Sequence, residues 1–330
     1  MAARFRVAVV GATGEIGRSV MDGLLSNPEQ FKYNPVSQEV FALVRPASVN
    51  KLILSTFTAR GAIVTPTDFG ATDSLAIALT GIHIVISCLT LLQQKEEITL
   101  IEASSKAKVH RYVPSFFGPV CPPRGVMMLR ERKEDTLDCI KRLYLPYTVI
   151  DVGWLYQLSL PQLPSGRIQT KAEYSLNDFV GDGDVPIALV DIRDIGKYVA
   201  RIVADPQTLN KMVFAHGETW TQSQIFDTLE EKSGENIARK NLSKQDADTI
   251  ISDVYKSFRT NPTGMEAVAS LALIQYRVCL GIRGDNTVEH AKYLGYLVGK
   301  ELYPDVEVVG LKMFMTEMLE GRVRAIYSAA

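Results

Sequence analysis

The residues best suited to chemistry begin with Gly11-Ala12-Thr13-Gly14-Glu15-Ile16-Gly17, which follows the apolar run 6–10 directly. A strand that enters such a turn and leaves it as a helix can cradle the pyrophosphate of a dinucleotide. Gly11 permits the tight bend. Gly14 lets the backbone approach a ligand with no Cβ in the way, and Gly17 allows the helix to pack close to the strand. The N–H groups of the first helical turn and the helix dipole then stabilise phosphate charge. Thr13 and Ile16 complete the turn and count with it as cofactor contacts. Without a ligand the same residues read as a plain strand–helix turn.

The next apolar run, 39–44, ends in Arg45-Pro46, with Lys51 six residues after Arg45. An acidic side chain at this strand end would take the adenosine ribose hydroxyls of NAD. Arginine instead offers a bidentate fork to the 2′-phosphate of NADP. No Asp or Glu lies between Arg45 and Lys51, so the pattern predicts NADP(H). Lys51 alone reads equally as a solvated lysine at a helix start. Asp68, after the third strand, could contact adenine or cap the following helix. Ser87 and Thr90 follow the fourth strand, where the ribose should pass, because ligands sit at the carboxyl ends of parallel strands. Gly153, Trp154 and Tyr156 follow the sixth strand. Gly153 gives close approach to the nicotinamide. The two aromatics offer flat apolar surface to a substrate, or else seal a domain junction. Tyr276, Met127-Met128 and Trp220 are weaker pocket candidates.

Such residues need a scaffold that sets strand ends side by side. Apolar strand-length runs at 6–10, 39–44, 62–65, 82–87, 110–114 and 147–152 alternate with helical patterns ending near 26 and at 51–59, 73–79, 94–107 and 130–143. A polar loop containing Asn27, Pro28, Asn34 and Pro35 precedes the second strand. The rhythm predicts an α/β fold, a Rossmann doubly wound parallel sheet with right-handed crossovers. It assigns 1–155 to an NADP-binding Rossmann domain and 156–330 to a smaller C-terminal α/β substrate domain, with 188–204 returning to the Rossmann sheet. Residues 222–233, 244–256 and 316–324 read as helices.

Composition narrows the class. Lys+Arg total 36 against 37 Asp+Glu, a net charge of -1, so no basic surplus invites nucleic acid. Cys88, Cys121, Cys139 and Cys279 are scattered and fit reduced thiols in a cytoplasmic protein better than a disulfide framework. His83, His110, His216 and His290 have no metal-ligand spacing. No apolar run approaches the roughly 20 residues of a membrane span, and the first strand is too short for a signal segment.

Beyond the glycine turn and the Leu-Val-Arg strand end, the chain carries Arg111-Tyr112-Val113-Pro114-Ser115-Phe116-Phe117-Gly118, Leu145-Pro146-Tyr147-Thr148, Gly181-Asp182-Gly183, Val190-Asp191-Ile192-Arg193-Asp194-Ile195 and Leu302-Tyr303-Pro304-Asp305. Together these motifs span nearly the whole chain. They resemble the isoflavone reductase, phenylcoumaran benzylic ether reductase and pinoresinol-lariciresinol reductase group, atypical short-chain dehydrogenases with an NmrA-like domain. Residues 282–292 are most similar to its fungal branch.

The resemblance makes Lys133, thirteen residues before Pro146, the catalytic lysine beside the nicotinamide. It places Pro114, Ser115 and Phe116 against the cofactor and Phe117 towards the substrate. Outside the family, Lys133 is one charge on a helix face with Arg130, Glu131, Arg132, Glu134 and Asp135. One departure stands out: Phe116 occupies a position that is usually acidic in the family, which could widen apolar contact with an aromatic substrate or alter the chemistry. The Tyr-x-x-x-Lys spacing of ordinary short-chain dehydrogenases occurs only at Tyr296 and Lys300, far beyond the sheet, and reads as coincidence. The resemblance implies an NADPH-dependent reductase of an aromatic or polyketide-like metabolite, with a homodimer open. A dinucleotide-sensing regulator, and an isomerase, dehydratase or cyclase on the same scaffold, are the rival readings.

Overall fold

A computed structural model of the protein describes residues 5–26, 39–168, 178–261, 264–323 and 326. The polar loop with Asn27, Pro28, Asn34 and Pro35 lies outside them. The first half runs β1 (Arg6–Val10), α1 (Glu15–Leu25), β2 (Glu39–Val44), α2 (Leu52–Ala59), β3 (Ile63–Pro66), α3 (Thr72–Ala78), β4 (Ile84–Ser87), α4 (Gln94–Lys106), β5 (Arg111–Val113), α5 (Met128–Arg142) and β6 (Thr148–Asp151). It continues through β7 (Trp154–Leu155), β8 (Phe179–Val180), β9 (Ile187–Val190), α6 (Ile192–Ala204), β10 (Lys211–Phe214), β11 (Glu218–Trp220), α7 (Gln222–Ser233), β12 (Asn241–Leu242) and α8 (Lys244–Thr260). The chain closes with α9 (Met265–Val278), α10 (Val288–Tyr293), β13 (Leu297–Val298), α11 (Gly299–Leu302) and α12 (Leu311–Leu319).

The five parallel strands lie in the order β3-β2-β1-β4-β5. Strand β1 is central because both its faces are apolar, and Val7, Ala8 and Val9 are fully buried. Val10 pairs with Leu43 on one side and Ser87 on the other. The chain exits at Gly11, Arg45 and Cys88 therefore reach one edge at one level. Past β5 the layer continues through a single parallel bridge between Tyr112 and Tyr147, and β6 then pairs with β10 and β10 with β13.

The strand within 188–204, expected to return to the Rossmann sheet, does not pair with its five strands. Strand β9 pairs with β7 and β11 in a separate small sheet. Helix α6 packs on α1, where Gly23 and Gly196 meet: a Cβ on Gly23 would lie 2.0 Å from the Gly196 carbonyl oxygen. Two glycines let these helices touch backbone to backbone. Strand β6 pairs with Lys211–Phe214, a segment the sequence reading did not assign.

Helix α7 covers the expected residues and opens on a capping box of Thr221 and Gln224. Helix α8 runs on to Thr260, and α9 has no counterpart in the sequence reading. The closing helix is Leu311–Leu319 rather than 316–324, because Gly321 adopts φ +69 and ends it.

Candidate active site

The glycine turn behaves as its residues dictate. Gly11 has φ +81, and a Cβ there would meet the Cys88 carbonyl oxygen at 2.7 Å. A Cβ on Gly17 would lie 2.1 Å from the Gly11 carbonyl oxygen. Both glycines are therefore required by the fold itself. Gly14 differs: its φ is -77, and an added Cβ would meet only the Gly11 oxygen, at 3.4 Å. The fold leaves room at Gly14 for a side chain that the sequence omits, as a turn receiving a phosphate group would. Gly14 is exposed and caps α1 with no side-chain hydrogen bond. The residues present fit a dinucleotide pyrophosphate. Arg18, which sequence reasoning missed, braces the turn by donating from Nε to the Thr13 carbonyl at 3.0 Å. Ile16 is half-buried beneath it.

Lys51 Nζ donates to Thr13 Oγ1 at 3.4 Å, bringing a cation from the start of α2 onto the turn. Arg45 is exposed at the end of β2 and pairs with Glu96 of α4 at 3.3 Å. An exposed pair of this kind is held weakly, by about 0–1 kcal/mol, so the guanidinium can be redirected to a phosphate. Asp68 does not cap α3, which starts at Thr72 after Ala71; its Oδ1 accepts from the Gly70 N–H at 2.9 Å in its own turn. Thr90 stands exposed in a capping box with Gln93. Ser87 is fully buried and donates to Glu97. Glu97, also unforeseen, accepts from Tyr112 Oη at 2.9 Å and from the Ser115 N–H at 3.4 Å. Burial pushes its carboxyl up in pKa, against the hydrogen bonds of Ser87 and Tyr112. Glu97 thus ties the ends of β4 and β5 to the turn that follows. Ser115 Oγ closes the same gap by donating to the Leu89 carbonyl at 2.7 Å, and Pro114 is buried behind it.

Lys133 lies on α5, with its amine at the 116–118 turn. Nζ donates to the Phe116 carbonyl and would sit 3.3 Å from a Cβ on Gly118. The enclosed amine loses hydration, which lowers its pKa to about 8; Asp151 opposes this shift and Arg130 adds to it. Phe117, half-buried, adopts φ +25 and donates its N–H to the Ile150 carbonyl at 2.9 Å. Phe116 turns its ring inward: it is 2% exposed and packs with Leu137 and Val149. The Arg130 guanidinium lies 4.9 Å and Lys133 Nζ 5.7 Å from its centroid. The ring that could have widened a substrate pocket is instead a buried floor beneath two cations.

Beside this floor is a network that sequence reasoning missed. Arg130 donates to Glu134 at 2.8 Å, to Asp151 Oδ2 at 2.6 Å and to Tyr296 Oη at 2.7 Å. Tyr296 donates to the same Asp151 oxygen at 2.6 Å. The signals were an (i, i+4) Arg–Glu pair on α5 and an aspartate ending an otherwise buried, apolar strand. Tyr296 therefore belongs with Arg130, while Lys300 is exposed.

Of the aromatic candidates, Trp154 is 4% exposed and lies 4.8 Å from Tyr276 between centroids. It follows Gly153, whose φ is +81 and whose Cβ would meet the Ala188 carbonyl oxygen at 2.4 Å. Tyr156 does not join the Lys133 group: it is fully buried, packs on Phe314 and faces Glu218. Met127 is buried and Met128 packs with the α8–α9 cluster. Trp220 donates to Glu218 at 2.8 Å. Among the described residues no cluster of His, Cys, Asp and Glu could hold a metal, and no helix is long and apolar enough to cross a membrane.

The chain is similar to known proteins over nearly its whole length. The chain is 37% identical over 318 residues to asnovolin J 5′,6′-dehydrogenase of Aspergillus novofumigatus, covering 96% of this chain and 95% of that protein. It is 27% identical to pinoresinol reductase 1 of Arabidopsis thaliana, over 73% of this chain and 78% of that one. Its fold matches the binary complex of leucoanthocyanidin reductase and NADPH from Vitis vinifera with a TM-score of 0.76, at 20% identity over 96% of this chain and 99% of that chain. The model of the NmrA-like family matches residues 4–269, and the chain belongs to that family.

Proposed function

We propose that the chain is an NADP(H)-dependent oxidoreductase acting on an aromatic or polyketide-like small molecule, in the reducing direction. The observation that carries the reading is the placement of an enclosed amine, Lys133, at the carboxyl edge of the parallel layer that also presents the glycine turn. Arg45, Lys51 and Arg18 supply positive charge around that turn, and an acidic residue that would repel a 2′-phosphate is missing between Arg45 and Lys51. Bound NADPH would supply hydride to an electrophilic carbon.

This chain's own residues do the rest. The turn and its cations fix the phosphates, and Gly153 leaves room at the end of β6. The Lys133 ammonium, held by the Phe116 carbonyl, donates a proton to the oxygen or carbon that gains negative charge. A pKa of about 8 makes that proton available near neutrality. The free amine can take the proton back in the opposite direction, which accommodates a relative named as a dehydrogenase.

The test is turnover of aromatic ketones, enones and benzylic ethers with NADPH deuterated at the transferable position. Deuterium in the product is expected. Failure of every substrate, together with no NADP+-dependent oxidation of the corresponding saturated compounds, would overturn the reading. A product of unchanged mass would favour an isomerase.

A further inference from the structure

The Arg130 network lies against Lys133 and has no part in the chemistry described above. Its position follows from the helix: Arg130 and Lys133 are three residues apart and so share one face of α5. Both lie over the Phe116 ring. The Lys133 amine sits against Gly118, whose carbonyl accepts from the Val152 and Gly153 N–H groups at 2.9 and 3.1 Å. Those are the two residues that follow Asp151. Asp151 itself is fully buried, and its two oxygens differ. Oδ2 holds Arg130 and Tyr296, whereas Oδ1 is buried with no hydrogen-bond partner. A buried carboxylate oxygen left bare is costly unless a nearby positive charge compensates it.

We propose that Arg130 and Asp151 are positioning residues that set the charge on Lys133. Asp151 holds the ammonium in its protonated form, Arg130 opposes it, and Tyr296 fixes the carboxylate between the two. The inference rests on Lys133 being the proton-transfer group, and it adds a tuning device to that role. The titratable groups with the largest influence on the amine are Asp151 from β6, Arg130 from its own helix, Cys121 from the loop before α5 and Glu97 from α4. Of these, Asp151 and Arg130 have the strongest influence after burial itself, and they act with opposite sign.

Opposed signs make the device testable. The pH dependence of Lys133 acylation by acetic anhydride, followed by mass spectrometry on the intact folded chain, reads the amine without requiring turnover. A midpoint of about 8 is expected for the native chain. Asp151→Asn should lower it by about one pH unit or more, and Arg130→Gln should raise it by about one unit. Tyr296→Phe keeps both charges and should stay within about half a unit of the native midpoint. If Asp151→Asn alone does not fold, the double variant with Arg130→Gln removes both members of the Asp151–Arg130 ion pair, and its midpoint should fall below that of Arg130→Gln. Shifts of the same sign in the two charge variants, or no shift in either, would overturn the proposal. Correct opposed shifts in a protein with no turnover would instead retire the oxidoreductase reading and leave the charge device standing.

Discussion

The glycine turn and the Lys133 amine lie at the same edge of one parallel layer, but their surroundings are built differently. At the turn the requirement falls on backbone: positive φ at Gly11 and near-contact at Gly17. At Lys133 the requirement falls on side chains drawn from 97, 116, 130, 151 and 296, all five buried and four of them (116, 130, 151 and 296) joined by hydrogen bonds or ring contacts. A backbone site is written locally and tolerates little substitution. A side-chain site is assembled by the tertiary fold, and its chemistry can be retuned one residue at a time.

The comparison breaks first at Lys133. Lys133→Met should cut kcat/KM by about 10²–10⁴-fold while leaving NADPH affinity within a few-fold, as a group acting in proton transfer rather than in binding would. Steady-state kinetics with calorimetry separates the two effects. Loss of cofactor affinity equal to the loss of rate would instead make Lys133 a binding residue.

At the turn, Gly14 and Gly17 should part company. Gly14→Val should weaken NADPH binding by about 100-fold with thermal stability nearly unchanged, since only the ligand needs the space. Gly17→Ala places a Cβ 2.1 Å from a carbonyl oxygen and should lower stability itself, by about 1–3 kcal/mol or more. Thermal melts with and without NADPH distinguish these outcomes.

The pH profile sharpens the electrostatic half. Reduction needs the ammonium, so kcat should hold below about pH 8 and fall roughly tenfold per unit above it, whereas oxidation should rise through the same region. Stability follows the same shift. The folded amine releases its proton near 8 and the unfolded one near 10.5. Between those values the unfolded chain binds more protons, so this group's contribution makes folding more favourable as pH rises. Urea melts across that window would check the sign.

The smallest effect is expected at Phe116. Phe116→Leu should cost about 1–2 kcal/mol through lost packing and leave substrate preference unchanged, because the ring faces Leu137 and Val149. A change in substrate preference would mean that the ring reaches the pocket.

The order of strands, the turn and the run of helices through α5 were legible because they are local: alternation of apolar runs, punctuation by glycine, and capping residues all act within a few positions. Phe116 was placed correctly in the chain but not in space, since nothing in a single sequence says which way a side chain turns at a loop. Arg130, Asp151 and Tyr296 were passed over for the same reason. Their partners are 21, 145 and 166 residues apart, and Tyr296 drew notice only through its spacing to Lys300. Strand β10 was not read at all, because a short strand joining β6 depends on shape complementarity across the layer rather than on its own pattern. The closing helix shifted because Gly321 ends it earlier than its apolar pattern suggests.

Calorimetry of NADPH against NADH, on the native chain and on Arg45→Ala/Lys51→Ala, tests the cofactor reading most directly. NADPH is expected to bind at least about tenfold more tightly than NADH, and the double variant should lose most of that preference, about 1–3 kcal/mol, while NADH binding stays the same. Equal binding of the two nucleotides, tighter binding of NADH, or no heat with either would contradict it.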